Sequence, residues 1–325
     1  NSGMTGVSHN LFYQAERLIQ SGFVLAAGLS HIRPTTSTTT SNLRHLFHYF
    51  SGMKPLPPPP PYPSRTRRPS RSPRPGSAKA PEPGVNPAGK SPGFPSLLGK
   101  ILPELESWAL ARELPGFRGK QIFRPLYEKR ASSFAGMTDL PAALRAALEQ
   151  EWSLRTAAVR ERRASRDGTV KLLVALGDGE AVECVLIPDP VRRTFCLSTQ
   201  AGCAFSCRFC ASGQAGWRRD LGPGEILEQV LLLEAEQGPA TNLVFMGVGE
   251  PLANLAALEP CLEILSSADG WHYAPKRITI STAGLPAGID RLASRGRPWH
   301  LALSLHAPDD QARAELMPIA RRHPL

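Results

Sequence analysis

The sequence predicts an α/β protein whose core is a parallel sheet or barrel with helices on its outside. Strand-like and helix-like segments alternate at βαβ spacing from residue 191 onward. Before that point, β-rich runs are separated by Asp-Gly turns, and helix-forming segments begin near Ser96. We therefore expect four regions, with the chemistry at the carboxyl ends of the parallel strands.

The first region, residues 1–95, includes the segment "MKPLPPPPPYPSRTRRPSRSPRPGSAKAPEPGVNPAGK", which carries almost nothing that could form a core. It contains a polyproline run and many Arg and Ser residues, a composition typical of disordered, extended chains. The first 100 residues hold 12 Lys and Arg against 2 acidic residues, whereas the remaining 225 hold 26 of each. The formal net charge of +10 therefore describes this region and gives no evidence about a catalytic surface.

Two interpretations of this region are open. Its Arg-rich, Ser-rich and acid-poor composition is that of an organellar transit peptide, which would start at Met53. Alternatively, it is a solvated linker or wrongly included upstream sequence, and the first residue, Asn1, favours a fragment. Apolar pieces such as "FVLAAGL" are far shorter than the roughly 18 to 20 residues of a membrane span, so no membrane partner is expected.

The second region, residues 96–155, is predicted to be a small helical accessory domain. Two segments with helical spacing, the second with Pro141 in its first turn, flank "GFRGKQIFRPLY". There, Arg118, Lys120 and Arg124 alternate with aromatic residues. This pattern can bind phosphates and stack on bases, but it is more often an amphipathic helix with buried aromatics and solvated charges.

The third and fourth regions are a β-hairpin linker, residues 156–190, and a partial barrel, residues 191–325. Asp167-Gly168 and Asp178-Gly179 mark the turns around the paired runs "TVKLLVAL" and "AVECVLI". The barrel segment holds four strand candidates, "RTFCLSTQ", "TNLVFMGVGEP", "RITISTAG" and "HLALSLHAP", with helical segments between them. It therefore corresponds to four βα units.

Three of the six cysteines lie together in "GCAFSCRFCASG", at Cys-x3-Cys-x2-Cys spacing after the first strand. Structural zinc would need a fourth Cys or His ligand from elsewhere in the chain. Disulfides are not suggested in an alternating α/β chain without a signal peptide. A [4Fe-4S] cluster held by Cys203, Cys207 and Cys210, with one open iron, fits the spacing best.

Longer segments around these cysteines are also informative, namely "CLSTQAGCAFSCRFCASGQAGWRRDL", "MGVGEPLANL", "ITISTAGLP" and "LALSLHAPDD". They resemble the radical S-adenosylmethionine (radical SAM) superfamily and, within it, the RlmN family of dual-specificity RNA methyltransferases. "FRGKQIF", "MTDLP" and "RDGTVKLLVAL" resemble that family's RNA-recruiting domain and hairpin. The resemblance covers residues 96–325. It implies methylation of adenine C2 in large-subunit ribosomal RNA and in transfer RNA, with a [4Fe-4S] cluster and SAM as cofactors.

The resemblance also assigns cofactor-binding residues. The three clustered cysteines would ligate the cluster, and Glu250 would face the methionine ammonium group of SAM. In "LALSLH", strand alternation sends Ala302, Ser304 and His306 to one face, expected to be the barrel interior. The full set of SAM-binding residues that the resemblance implies is Gly249, Glu250, Ser281, Ser304, Leu305 and His306.

Two further residues match catalytic positions of the family. Cys196 corresponds to a cysteine that resolves a covalent enzyme–RNA intermediate, and Glu183 corresponds to a proton acceptor. The implied mechanism first methylates another protein cysteine, whose methyl carbon becomes a radical that adds to C2. Without the family, Cys196 would be a small core residue and Glu183 a solvated charge. Cys184 and Cys261 match nothing functional and are expected to be buried hydrophobes.

The resemblance departs from the family pattern at the end of the chain. In the family, the methyl-carrying cysteine, the last two barrel strands and a cofactor-binding asparagine come later in the chain. They have no counterpart in this sequence, whose last residues are "MPIARRHPL". We therefore expect this chain alone to be poorly stable and inactive in methyl transfer. Two alternatives are a zinc-binding RNA-binding module without catalysis and another radical SAM enzyme.

The resemblance and the cysteine content also predict surroundings and partners. Free thiols and an oxygen-sensitive cluster favour a reducing compartment. That compartment is the cytoplasm, or an organelle matrix if the first region is a transit peptide. The expected partners are ribosomal RNA, transfer RNA and an electron donor of unknown identity, and the expected oligomeric state is a monomer.

Overall fold

A mixed sheet of eight strands forms the centre of the protein in a computed structural model that describes residues 26–28 and 94–325. All described residues belong to one compact unit. The strands are Ala26–Gly28 (β1), Ala158–Ala164 (β2), Val170–Ala175 (β3), Ala181–Asp189 (β4), Arg192–Cys196 (β5), Gln200–Gly202 (β6), Trp217–Asp220 (β7), Asn242–Phe245 (β8), Ile278–Thr282 (β9) and His300–Leu303 (β10). The helices are Leu102–Leu110 (α1), Phe117–Tyr127 (α2), Ala142–Glu151 (α3), Ala211–Gln214 (α4), Pro223–Gln237 (α5), Leu255–Ser266 (α6), Pro286–Ser294 (α7) and Asp310–Leu316 (α8).

The carboxyl-terminal half is the predicted series of βα units. Strands β5, β8, β9 and β10 are parallel and lie side by side in this order. Helices α5, α6 and α7 lie in the three crossovers, and the first crossover also contains β6, α4 and β7. This arrangement confirms the prediction of a partial barrel with helices outside.

Two strands end earlier than the sequence predicted. After Cys196 the backbone bonds to the loop that follows β8, with Gly247 N–H donating to the Leu197 carbonyl. The chain then pairs β6 with β7 in a separate two-stranded ribbon. Strand β10 ends at Leu303, and His306 has a φ of 57°. The predicted strand alternation over Ser304 and His306 is therefore wrong, because the chain turns there.

The predicted hairpin is larger and more integrated than expected. Strands β3 and β4 pair as predicted, and β2 adds a third antiparallel strand that the sequence did not indicate. Strand β4 also pairs with β5, so the hairpin extends the barrel sheet rather than acting as a separate linker. One face of the hairpin is therefore continuous with the inner face of the barrel.

The two faces of the sheet have different surroundings. Leu243, Phe245, Ile278 and Ile280 are fully buried and belong to one apolar cluster with residues of α5 and α6. Their neighbours along each strand point to the opposite face, as strand alternation requires. That inner face carries the half-buried Ser281 and other polar groups.

The region 96–155 contains three helices that share the main apolar core of the protein. Pro141 precedes the first turn of α3 rather than lying within it. In α2, Phe123 and Tyr127 are buried, whereas Phe117 is 57% exposed. The Tyr127 hydroxyl accepts the Gly99 N–H and donates to the Lys100 carbonyl. Helix α2 is thus amphipathic with mostly buried aromatics, which is the simpler of its two interpretations.

The predicted disordered region, including Met53, lies outside the described residues apart from β1 and positions 94 and 95. The β1 backbone pairs antiparallel with β10 at the free edge of the sheet. In the part of the chain that the structure describes, the helices are too short or too polar for a bilayer span.

Candidate active site

The three clustered cysteines lie on the loop between β6 and α4, all with free thiols. The loop starts at Gly202, where φ is 77° and a Cβ atom would stand 1.8 Å from the Gly216 carbonyl oxygen. Only glycine fits this close approach. The Cys203 N–H donates to the same carbonyl and the Cys210 N–H to that of Cys207. The backbone therefore holds the cysteine loop in a tight, defined turn.

The cysteine thiols are half-buried and close enough to influence each other. Burial first, and neighbouring cysteines second, raise the pKa of Cys203 and that of Cys207 to about 11. The Cys203 and Cys207 thiols are therefore protonated at neutral pH, and their binding to a metal would release protons. Among the described residues, no three Cys, His, Asp or Glu side chains converge on one ion position. Cluster ligands need not converge, because each thiolate binds a different iron.

The cysteine loop packs against the end of the last parallel strand. The Phe209 ring lies against the His306 ring, with 4.2 Å between ring centroids. The Arg208 N–H donates to the Leu316 carbonyl at 2.9 Å, which joins the loop to α8. Burial and the nearby charge of Arg313 lower the pKa of His306. The structure thus brings the cysteine loop and His306, predicted from distant segments, into contact.

Glu250 links the ends of two parallel strands. It is 5% exposed, and its two carboxylate oxygens accept the N–H groups of Leu252 and Ala283 at 3.1 and 2.8 Å. Burial raises the pKa of this carboxyl group. The preceding Gly249 has a φ of 104° and no room for a Cβ atom beside Gln200. Both predicted residues therefore lie in a rigid turn, and Glu250 already bonds to the backbone there.

Register places Cys196, Ser281 and Ala302 on the inner face. Cys196 pairs with Val244, and Ser281 pairs with Ala302, in the parallel part of the sheet. Burial raises the pKa of the Cys196 thiol to about 12. Cys184 and Cys261 are buried, as expected for cysteines without a function.

Glu183 shares this inner face from the hairpin side. Val185 lies opposite Cys196, so Glu183, two residues earlier on β4, lies beyond the carboxyl end of β5. Its carboxylate pairs with the ammonium group of Lys171 at 2.8 Å. Lys171 is 4% exposed, so Glu183 is not the solvated strand charge that its sequence context suggested.

Ser304 and Leu305 follow β10 in the turn. The Ser304 N–H donates to the Thr282 carbonyl at 2.8 Å, which keeps this turn beside the end of β9. Both residues are half-buried. They lie beside the end of β9, but on a turn rather than on a strand.

Sequence reasoning missed a buried polar network under these loops. Gln229 on α5 exchanges two hydrogen bonds with the Ser198 backbone, at 2.8 and 2.9 Å. The Ser198 hydroxyl donates to the Glu183 carbonyl and accepts the Val248 N–H. Asn254 donates to the Thr199 and Leu221 carbonyls. A glutamine inside the apolar run "EILEQVLLLEA" was the signal that could have revealed it.

Two family models match the chain. The Radical SAM superfamily matches residues 197–324, and the ribosomal RNA large subunit methyltransferase N-terminal domain matches residues 96–154. The first match begins just after β5 and covers β8, β9 and β10, and the second covers α1, α2 and α3.

Curated relatives are similar to this chain over most of the described residues. A probable dual-specificity RNA methyltransferase RlmN of Rhodopirellula baltica is 50% identical over 70% of this chain and 62% of its own length. One of Thermosynechococcus vestitus is 44% identical, over 70% and 67%. The crystal structure of a radical SAM methyltransferase from Sphaerobacter thermophilus is 40% identical, with a TM-score of 0.66, over 71% of this chain and 69% of that one. The chain thus spans about two thirds of each relative.

Proposed function

The chain belongs to the RlmN family of the radical SAM superfamily, and on that premise we propose that it binds a [4Fe-4S] cluster and SAM and acts in RNA methylation. One observation carries the proposal. Three free, half-buried cysteines share a tight loop at the carboxyl edge of the parallel strands and pack against the end of β10. In βα barrels, this edge is where catalytic residues gather.

Cys203, Cys207 and Cys210 would hold the cluster through three thiolates, and the open iron would bind SAM. When bound, the cluster supplies the electron that cleaves SAM and starts radical methyl transfer. Gly249, Glu250, Ser281, Ser304, Leu305 and His306 would surround SAM. The Glu250 carboxylate orients the turns after β8 and β9, because it bonds to the backbone of both.

We propose C2 of an unpaired adenine in large-subunit ribosomal RNA or transfer RNA as the methylated position. C2 is shielded in a stacked helix, so the base would have to leave the stack. Cys196 would resolve the covalent enzyme–RNA intermediate and Glu183 would accept a proton. Burial raises the pKa of Cys196 to about 12, so its thiol needs a nearby base to become a nucleophile. Glu183 on the same face supports this pairing.

A zinc-binding module without catalysis is the weaker candidate. Zinc prefers four ligands around one ion. Within residues 94–325, no such group of three or more ligands converges. The match of an RNA methyltransferase N-terminal domain also favours an RNA-modifying enzyme over a radical SAM enzyme of another class.

The experiment that tests the cluster proposal is anaerobic reconstitution with iron and sulfide. We expect about four irons per chain and, after reduction, an electron paramagnetic resonance signal that changes when SAM is added. Cys207→Ala should lose the signal. The matched control, Cys261→Ala, should keep it, because Cys261 is buried on α6. Bound zinc without a cluster signal would contradict the proposal.

The substrate proposal is tested by binding. With cluster and SAM present, fluorescence anisotropy should show tighter binding of a ribosomal RNA stem-loop with an unpaired adenine than of the same stem-loop with cytosine. Equal affinities for the two RNAs would contradict adenine recognition and leave the cluster result untouched.

A further inference from the structure

Arg313 on α8 is a buried cation beside the candidate active site. It is 2% exposed, and its two terminal nitrogens donate to the Ala283 and His323 carbonyls at 2.6 and 3.0 Å. Its Nε is buried and has no hydrogen-bond partner among the described residues. The guanidinium group is therefore held by neutral carbonyls and keeps one donor unused.

Within residues 94–325, the charge of Arg313 has no buried anionic partner. Burying a charge costs free energy unless an opposite charge lies nearby. Among the described residues, the acidic groups that interact with Arg313 are Asp310 and, once deprotonated, Cys207. Asp310 is exposed and accepts the N–H of Leu325. Cys207 is an anion only as a thiolate. The arrangement thus suits an anion that forms at the cysteine loop.

Two contacts connect Arg313 to both sides of the candidate active site. Ala314 and Leu316, which follow it on α8, pack in one apolar cluster with Cys207 and Phe209. The Ala283 carbonyl accepts a hydrogen bond from Arg313, and the Ala283 N–H donates to the Glu250 carboxylate. Arg313 therefore orders the turn after β9 and lies behind the cysteine loop.

We propose that Arg313 is a positioning residue that stabilises the negative charge of a [4Fe-4S] cluster bound to the cysteine loop. The inference rests on the proposed function. A cluster with three thiolate ligands carries net negative charge, and one-electron reduction adds another. A fixed cation behind the loop favours both states, and the reduced state more. The cysteine loop and Arg313 thus form one electrostatic unit.

The test is a redox titration of the reconstituted protein with dithionite and mediators, followed by electron paramagnetic resonance. Arg313→Gln and Arg313→Met should lower the reduced-to-oxidised ratio at a fixed potential about tenfold, which is about 59 mV more negative for one electron. Arg313→Lys keeps the charge and should restore most of that change. The control, Arg291→Gln, removes an exposed cation on α7 that pairs with Glu259 on α6, and it should change nothing.

Iron content and circular dichroism accompany each titration. A folded, iron-replete Arg313→Gln protein with the wild-type potential would overturn the inference. If neither neutral variant folds, Asp310→Asn decides, because it removes an exposed acid that acts on Arg313 and should make the potential more positive. An unchanged potential there would equally overturn it. A wild-type protein without any cluster signal would refute the proposed function itself, and the inference with it.

Discussion

The two faces of the central sheet are filled in different ways. The helix-covered face is apolar, with Phe245 and Ile280 fully buried. The inner face carries Cys196, Ser281 and the Lys171–Glu183 pair in register across neighbouring strands. The comparison teaches that one face supplies the packing energy of this fold, and that strand register then positions reactive groups on the other.

The largest effect is expected on the apolar face. Phe245→Ala leaves a cavity beneath α5 and α6 and should reduce the free energy of unfolding by about 3–5 kcal/mol in urea titrations. The control is Val191→Ala, at the exposed turn between β4 and β5, with a change below about 0.5 kcal/mol. Similar effects for the two variants would break the distinction between the faces.

A polar group at the strand ends should come next. Glu250→Ala leaves the buried N–H groups of Leu252 and Ala283 without their acceptor, so we expect a loss of about 3 kcal/mol in the same measurement. Glu250→Gln retains one acceptor oxygen and should lose less. Equal losses for the two substitutions would show that the carboxylate does not hold these turns.

Glu228 on α5 is a titratable group among the covering helices. Burial raises its pKa from 4.5 to about 7, although Thr156 donates two hydrogen bonds to it. The folded protein therefore holds this proton more tightly than the unfolded chain. Its contribution to stability is complete below pH 4.5 and is lost as pH rises through 7, by at most about 3 kcal/mol. Urea titrations between pH 5 and pH 8 should show this slope flattened in Glu228→Gln. An identical slope would contradict it.

The smallest effect is expected within the inner face. A double-mutant cycle on Lys171→Met and Glu183→Gln should give a coupling energy of about 1–2 kcal/mol, since Lys171 is buried. The matched surface pair, Arg162 and Glu236, should couple by less than about 0.5 kcal/mol. Equal coupling energies in the two cycles would show that the buried pair on the inner face is no stronger than an ion pair on the protein surface.

Much of this architecture was predictable because it is local. Apolar periodicity within "PGEILEQVLLLEAE" defines α5, and the cysteine spacing in "GCAFSCRFCASG" defines the loop between β6 and α4. The residues named for the site all lie in strands or turns of the carboxyl half or on β4. The ends of the strands were harder to predict from the sequence, because hydrogen bonds between segments distant in the chain end β5 at Cys196.

By itself, the sequence determined the order of βα units, the helical region before them and the cluster of three cysteines, since each depends on neighbours a few positions apart. Only the tertiary structure decided that the hairpin joins β5, that Lys171 pairs with Glu183, and that Arg313 lies buried beside the cysteine loop. These features depend on contacts between segments distant in the chain. Such contacts form only when the sheet and its helices pack together, and no local pattern records them.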